Sequence, residues 1–409
     1  MAELGAGMTT TETETARRRV KAGAPIDTDE ALRKATQQAE QRGFAKFLIC
    51  DVDAHHYENE SWGEIAAYIE DDVLRRMALG SGVAKLSRSS SLLPTQMSDN
   101  DLSGRIPRYG TRGDEKGDGK RPRDAVITRR AMDAMGIDYT VLFPGPMLGL
   151  GLHPQHDVEV AIAHAYARWM TEVICPADSG IKTMIYLPFN SPDRCLRLVQ
   201  EFGDRPGVVG FLITSVRYRA IHDDAYMPLF AEIERRGLPL AIHGSFNYHD
   251  RSFELLNRFI SVHALGFPFF TMIHLTNWVI NGMPERFPGI KTVWMEAGLA
   301  FLPFLMLRLD HEYMMRSSEA PLLRKPPSEY LREFYFTTQP LEVPVHDLAP
   351  LKTAFDLVNA ESQLLYASDY PHWDFDLPSR IYDLPFLSDQ AKKRILGENA
   401  MGLFHFDKH

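Results

Sequence analysis

Cysteine is scarce: only Cys50, Cys175 and Cys195 occur in 409 residues. Three scattered thiols make no disulfide framework and lack the paired spacing of a thiolate zinc site, so a reducing, cytoplasmic compartment is expected. Long hydrophobic runs are missing too. No stretch approaches the roughly 18 continuous apolar residues that cross a bilayer, and the polar start MAELGAGMTTTETETARRRVKAGAP has no apolar secretion core, so no membrane partner is expected. Positive charge is in deficit, with 45 Lys+Arg against 54 Asp+Glu and a net charge of −9. Nucleic acid is therefore not an expected partner, because neutralising phosphates takes a basic face. No GxGxxG follows a first strand, which removes the usual support for a dinucleotide site.

What remains is a chain with 44% hydrophobic and 24% charged residues, enough to bury a sizeable core. Residues 1–26 are polar and Thr/Glu/Arg-rich and read as a flexible extension. A helix is expected over 27–45, capped by Asp27 or Thr28 and ended by Gly43. From 46 to 409, short apolar runs alternate with amphipathic stretches such as DVEVAIAHAYARWMTEVI and YMPLFAEIERRG. The runs cover 46–53, 138–144, 181–188, 208–214, 238–243, 290–296, 332–338 and 363–369. Runs without alternation suit strands buried on both faces of a parallel sheet. Eight strand-helix units predict an α/β fold, a closed (β/α)8 TIM-type barrel, with an open doubly wound sheet as runner-up. Residues 85–123, rich in Gly, Ser and Pro, read as an inserted loop: an active-site cover or intersubunit arm, weighed against plain disorder.

Barrel chemistry sits at the C-terminal ends of the strands, so the residues there are the test. The first run ends in Asp53-Ala54-His55-His56, the fifth in His243, the sixth in Glu296 and the eighth in Asp369. Asp53 and His55, two apart, point to the same side and can close on one ion, whereas His56 faces away. Each has an ordinary reading: His243 as a hydrogen-bonded structural histidine, Asp53 and Asp369 as cap or turn residues. Together, imidazoles and carboxylates without thiolates describe a divalent-metal site.

These residues carry a family resemblance. DVDAHHYE, the His of LPLAIHG, NGMPERFPGIKTVWMEAG followed by FLPFLMLRLD, and YASDYPHWD resemble the amidohydrolase-related superfamily, over roughly residues 46–405. Within it they look like the metal-dependent aromatic-acid decarboxylases, such as the γ-resorcylate and aminocarboxymuconate semialdehyde enzymes. The resemblance implies metal ligands at Asp53, His55, His243 and Asp369, with Asp53 replacing a His or Glu. It implies one divalent ion, Zn²⁺ or Mn²⁺, and a homodimer or homotetramer. Where several of those decarboxylases carry a proton-transferring His, this chain has Glu296, a candidate proton donor or ligand partner. His263 and His274 are candidate substitutes for that imidazole and substrate contacts, against the plainer reading of ordinary helix histidines. The resemblance also implies that Arg308 holds a substrate carboxylate, in some relatives across a dimer interface; pairing with Asp310 is the structural alternative. Tyr57, Trp62, Phe246, Trp278, Phe301 and Trp373 are candidates for an aromatic wall, or for core.

Two activities follow. One is a metal-dependent decarboxylase of a small hydroxylated aromatic or unsaturated carboxylic acid. The alternative is a hydrolase of a C–N or C–C bond in a cyclic or ring-cleavage substrate, with metal-bound hydroxide as nucleophile and Asp369 as shuttle. A barrel kept only for binding would show gaps among the four ligand positions, and none is missing.

Overall fold

The structure, a computed structural model, describes residues 27–58, 60–80, 105, 116–248, 250–344 and 346–406. The extension expected over 1–26 and most of the inserted loop expected over 85–123 lie outside the described residues.

All eight expected strands form, in sequence order: β1 Cys50–His56, β2 Tyr139–Pro144, β3 Ile181–Tyr186, β4 Val208–Thr214, β5 Leu240–His243, β6 Thr292–Met295, β7 Tyr335–Thr337 and β8 Leu364–Leu365. Neighbours pair in parallel from β1 through β8. The ring is closed by backbone bonds from Val52 N–H to Tyr366 O (3.0 Å), Asp369 N–H to Asp53 O (2.8 Å) and His55 N–H to Tyr370 O (2.7 Å). Every residue of β1, β3 and β4 is buried, which is why these runs show no polar alternation.

Helices of eight residues or more are α1 Thr28–Arg42, α2 Asp72–Leu79, α3 Arg123–Met135, α4 His156–Trp169, α5 Pro192–Phe202, α6 Met227–Arg236, α7 Phe259–Ile280, α8 Phe301–Arg316 and α9 Ala349–Leu357. The Asp27 carboxylate accepts the Glu30 N–H at the start of α1, and Gly43, at φ 66°, closes it as a left-handed cap. Helix α7, with 22 residues and a mean hydropathy of 1.4, is long and apolar enough to cross a bilayer by length and composition. Here it packs on the barrel through His274, Leu275, Trp278 and Val279.

Strand limits differ from expectation where local turns compete. Phe44–Lys46 forms a 3₁₀ turn, so β1 begins at Cys50 and runs to His56, whose register partner is Pro144. His55 and His56 consequently lie inside β1 rather than beyond it. β8 is only Leu364–Leu365, which leaves Asp369 in the following loop.

Candidate metal centre

Side chains from β1, β5 and the loop after β8 converge at the C-terminal mouth of the barrel. Asp53 Oδ1 lies 3.3 Å from His55 Nε2 and 3.2 Å from His243 Nε2. The two Nε2 atoms are 3.3 Å apart, and His55 Nε2 is 3.3 Å from Asp369 Oδ1. All four residues are buried. Atoms bound about 2.0–2.1 Å from one tetrahedral ion sit roughly 3.3–3.4 Å from each other, so the mutual spacing of Asp53 Oδ1, His55 Nε2 and His243 Nε2 fits a common ion, and Asp369 Oδ1 meets this trio at His55.

The protons reinforce that fit. His55 Nδ1 is 2.9 Å from Pro144 O and His243 Nδ1 is 2.6 Å from Gly244 O. A carbonyl only accepts, so each Nδ1 carries the proton and each Nε2 turns a lone pair inward. Two lone pairs and two carboxylates then face one another, an arrangement that repels unless a cation occupies it. Asp53 Oδ2, Glu296 Oε2 and Gln339 Oε1, acceptors all, are buried without a hydrogen-bond partner. The donor set of nitrogen and oxygen without sulfur suits a Zn²⁺ or Mn²⁺ class of ion.

Glu296 follows β6 with φ 49°, and Asp369 has φ 60°. Both stand in the left-handed region that non-glycine residues avoid, a local cost of order 1–3 kcal/mol each that turns the chain sharply at the strand end. Glu296 Oε2 is 3.3 Å from His243 Nδ1, but that N–H is directed at Gly244 O, and Oε2 stays unpartnered. Burial, then the Asp369 and Asp53 carboxylates, hold the Glu296 carboxyl well above the usual range.

Two residues of the centre were not anticipated. Gln339, just past β7, donates from Nε2 to Asp369 Oδ2 at 3.1 Å. His372 Nδ1 lies 2.5 Å from Asp369 Oδ1, and its ring stacks on His55 at 4.4 Å between centroids. A signal existed for each: Gln339 is the polar residue after the seventh apolar run, and His372 follows Asp369 by three in the same loop.

Other candidates fall elsewhere. Arg308 is exposed on α8 and pairs with Glu312 at 2.9 Å; the expected alternative partner, Asp310, instead accepts from Ser328. His274 donates from Nε2 to Ser215 O (2.7 Å) and accepts at Nδ1 from Arg217 (2.9 Å), so both nitrogens are engaged away from the cluster. Burial pulls the Arg217 guanidinium down to about 10. His263 stands among Phe246, Phe259, Phe267 and Trp373, with Nε2 3.9 Å from Asp374. Trp62 donates to Ala78 O and Trp278 packs on Phe230, so both belong to the core rather than to a pocket wall. His56 faces away from the cluster, as alternation requires, bonded to Asp124 and Tyr166. Arg105, in the expected insertion, is buried and donates to Phe253, Leu256 and Tyr248 carbonyls in the segment after β5.

Solved structures share this architecture. A 5-carboxyvanillate decarboxylase from Novosphingobium aromaticivorans DSM 12444, complexed with manganese and 4-hydroxy-3-methoxy-5-nitrobenzoic acid, is 21% identical with a TM-score of 0.62, covering 88% of this chain and 96% of that one. A dihydroxybenzoic acid decarboxylase from Polaromonas sp. JS666, with bound manganese and 2-nitroresorcinol, is 16% identical with a TM-score of 0.59, covering 89% and 98%. An amidohydrolase from Mycobacterium avium subsp. paratuberculosis K-10 is 17% identical with a TM-score of 0.67, covering 88% and 99%. At these identities the likeness establishes the barrel fold. The sequence itself matches the family model described as Amidohydrolase over residues 50–406, most of its length, and the chain belongs to that family.

Proposed function

We propose that this protein is a divalent-metal-dependent decarboxylase of a small hydroxylated aromatic or unsaturated carboxylic acid. The observation that carries the reading is the mutual 3.2–3.3 Å approach of Asp53, His55 and His243, joined by Asp369 at 3.3 Å from His55, with the unpartnered Oε2 of Glu296 beside them. The manganese-bound aromatic-acid decarboxylases of the same fold support it. The hydrolytic alternative has the family name behind it but no separate feature of this site.

In this reading Asp53, His55, His243 and Asp369 hold Zn²⁺ or Mn²⁺. When bound, the ion supplies positive charge for the substrate carboxylate and the oxygen beside it. Glu296, at the mouth and open at Oε2, delivers a proton to the carbon that bears the carboxylate. The carbon–carbon bond then breaks, CO₂ leaves with the carboxylate's charge neutralised by that proton, and Glu296 is reprotonated from solvent. His243 stands 3.3 Å from Glu296 with its Nδ1–H given to Gly244 O, which leaves Oε2 free to carry that proton. His263, with Phe246 and Trp373, flanks a ring-shaped substrate, and His274 braces Arg217 at 2.9 Å. Exposed Phe304, Leu307, Met314 and Met315 on α8 offer a face for a second copy, which supports a homodimer or homotetramer in which Arg308 serves a neighbouring site. Three buried free thiols are in keeping with a cytoplasmic location. The test is CO₂ release from a panel of hydroxybenzoates by the Mn²⁺-loaded protein; hydrolysis of amides or ring-cleavage products without CO₂ release would reverse the assignment.

A further inference from the structure

Asp369 is the one member of the cluster that does not stand on a strand. It sits in the loop after β8 with φ 60°, so its side chain depends on neighbours for its aim. A carboxylate free to turn about its last torsion alternates between offering one oxygen and two. Here each oxygen has a separate donor. Gln339 Nε2 holds Oδ2 at 3.1 Å, and His372 Nδ1 holds Oδ1 at 2.5 Å, while Oδ1 alone is turned to His55 Nε2 at 3.3 Å.

Both donors are themselves braced. Gln339 is buried and follows two threonines that tie β7 to its neighbours: Thr337 Oγ1 accepts the Glu296 N–H at 3.0 Å, and Thr338 Oγ1 accepts the Ala367 N–H at 3.1 Å. The His372 ring stacks on His55 at 4.4 Å, so one imidazole steadies two members of the cluster. An ionised Asp369 only accepts, which places the amide nitrogen of Gln339 toward it and leaves Oε1 pointing elsewhere as a buried acceptor without a partner.

We propose that Gln339 and His372 are positioning residues that hold the Asp369 carboxylate from both sides, one oxygen each, and so set how tightly and in what geometry the centre binds its ion. This rests on the reading that Asp369 holds the ion. Partners of this kind, one bond removed from the ion, change metal affinity by about 10–100-fold when lost.

The test is Mn²⁺ titration of the full-length protein, with free Mn²⁺ read by electron paramagnetic resonance and no substrate present. Gln339→Met and His372→Phe should each weaken binding about 10–100-fold and shift the visible absorption of the Co²⁺-substituted protein, a band that loss of general stability does not move. Gln339→Asn, whose amide is too short to reach, should behave like Gln339→Met, and decides the matter if Gln339→Met does not fold. Affinity within about twofold of wild type and an unchanged Co²⁺ spectrum in the Gln339 variants would overturn the proposal. Asp369→Ala separates the two levels. Loss of Mn²⁺ in Asp369→Ala with none in the Gln339 variants means the clamp is wrong, whereas unchanged Mn²⁺ in Asp369→Ala means the ligand assignment beneath it is wrong.

Discussion

Glu296 and Glu159 are both buried glutamates, and each has one carboxylate oxygen without a hydrogen-bond partner. Their company differs. Glu159 stands on α4, where Oε2 accepts from Asn190 Nδ2 at 3.0 Å. The same amide donates to Gly151 O at 2.8 Å, and Asn190 Oδ1 accepts the Tyr218 N–H at 2.9 Å, so the group ties together the loops after β2, β3 and β4. Burial pushes the Glu159 carboxyl up to about 7, against the opposing pull of Asn190. Glu296 is held well above the usual range by burial and by the Asp369 and Asp53 carboxylates, and it lies against an imidazole. A buried carboxyl is thus not in itself a sign of chemistry. Burial among acids and imidazoles at the mouth of the barrel is.

The largest effect expected from breaking this contrast comes from removing the company. His243→Ala or Asp369→Ala should strip the bound ion and reduce turnover to background while the circular dichroism spectrum stays near wild type. Full metal content in both variants would refute the ligand set. Next is Glu296→Gln, which should keep the ion and lose turnover by about 10²–10⁴-fold, the usual worth of a positioned general acid. Normal turnover with full metal would remove Glu296 from the reaction.

Glu159→Gln sharpens the other side. The Glu159 carboxyl has an ordinary value of 4.5 and is raised to about 7 in the fold, so the folded state binds its proton more tightly. Its contribution to stability is complete below the ordinary value and is lost as pH rises through about 7, a change on the order of 3 kcal/mol at 1.36 kcal/mol per unit. Urea unfolding at pH 5 and pH 8 should show wild type losing stability across this interval more steeply than Glu159→Gln, with turnover of the variant near normal. Equal pH slopes in the two proteins would contradict the assignment. The smallest effect is expected at exposed Arg308, whose only described charge partner is the half-buried Glu312: Arg308→Ala should leave Mn²⁺ affinity unchanged. A fall in affinity would place Arg308 nearer the ion than α8 puts it.

The strands were legible because a parallel barrel buries them on both faces, leaving apolar runs such as VVGFLIT that no surface helix would tolerate. Asp53, His55, His243, Glu296 and Asp369 were legible for a related reason: each interrupts or ends such a run at the same end of the barrel. Their limits were not. A 3₁₀ turn at Phe44–Lys46, set by tertiary packing of Phe44, delays β1 by four residues relative to the expected start at 46. Gln339 and His372 were missed because they lie in loops, where side-chain direction depends on turns such as the left-handed Asp369 that apolar periodicity does not encode. The exposure of Arg308 was not legible either: on a helix the face is decided by packing, and Leu302, Leu305, Met306 and Leu309 take the buried side, which leaves Arg308 outward.

The most direct test of the central claim is the release of CO₂ from hydroxybenzoates by the full-length protein, first stripped by chelator and then reloaded with Mn²⁺. The account predicts no release from the stripped protein, release after reloading, and none from reloaded Glu296→Gln beyond about 10⁻² of wild type. Equal CO₂ release with and without the ion, or release of amine or acid from amide substrates in place of CO₂, would contradict it.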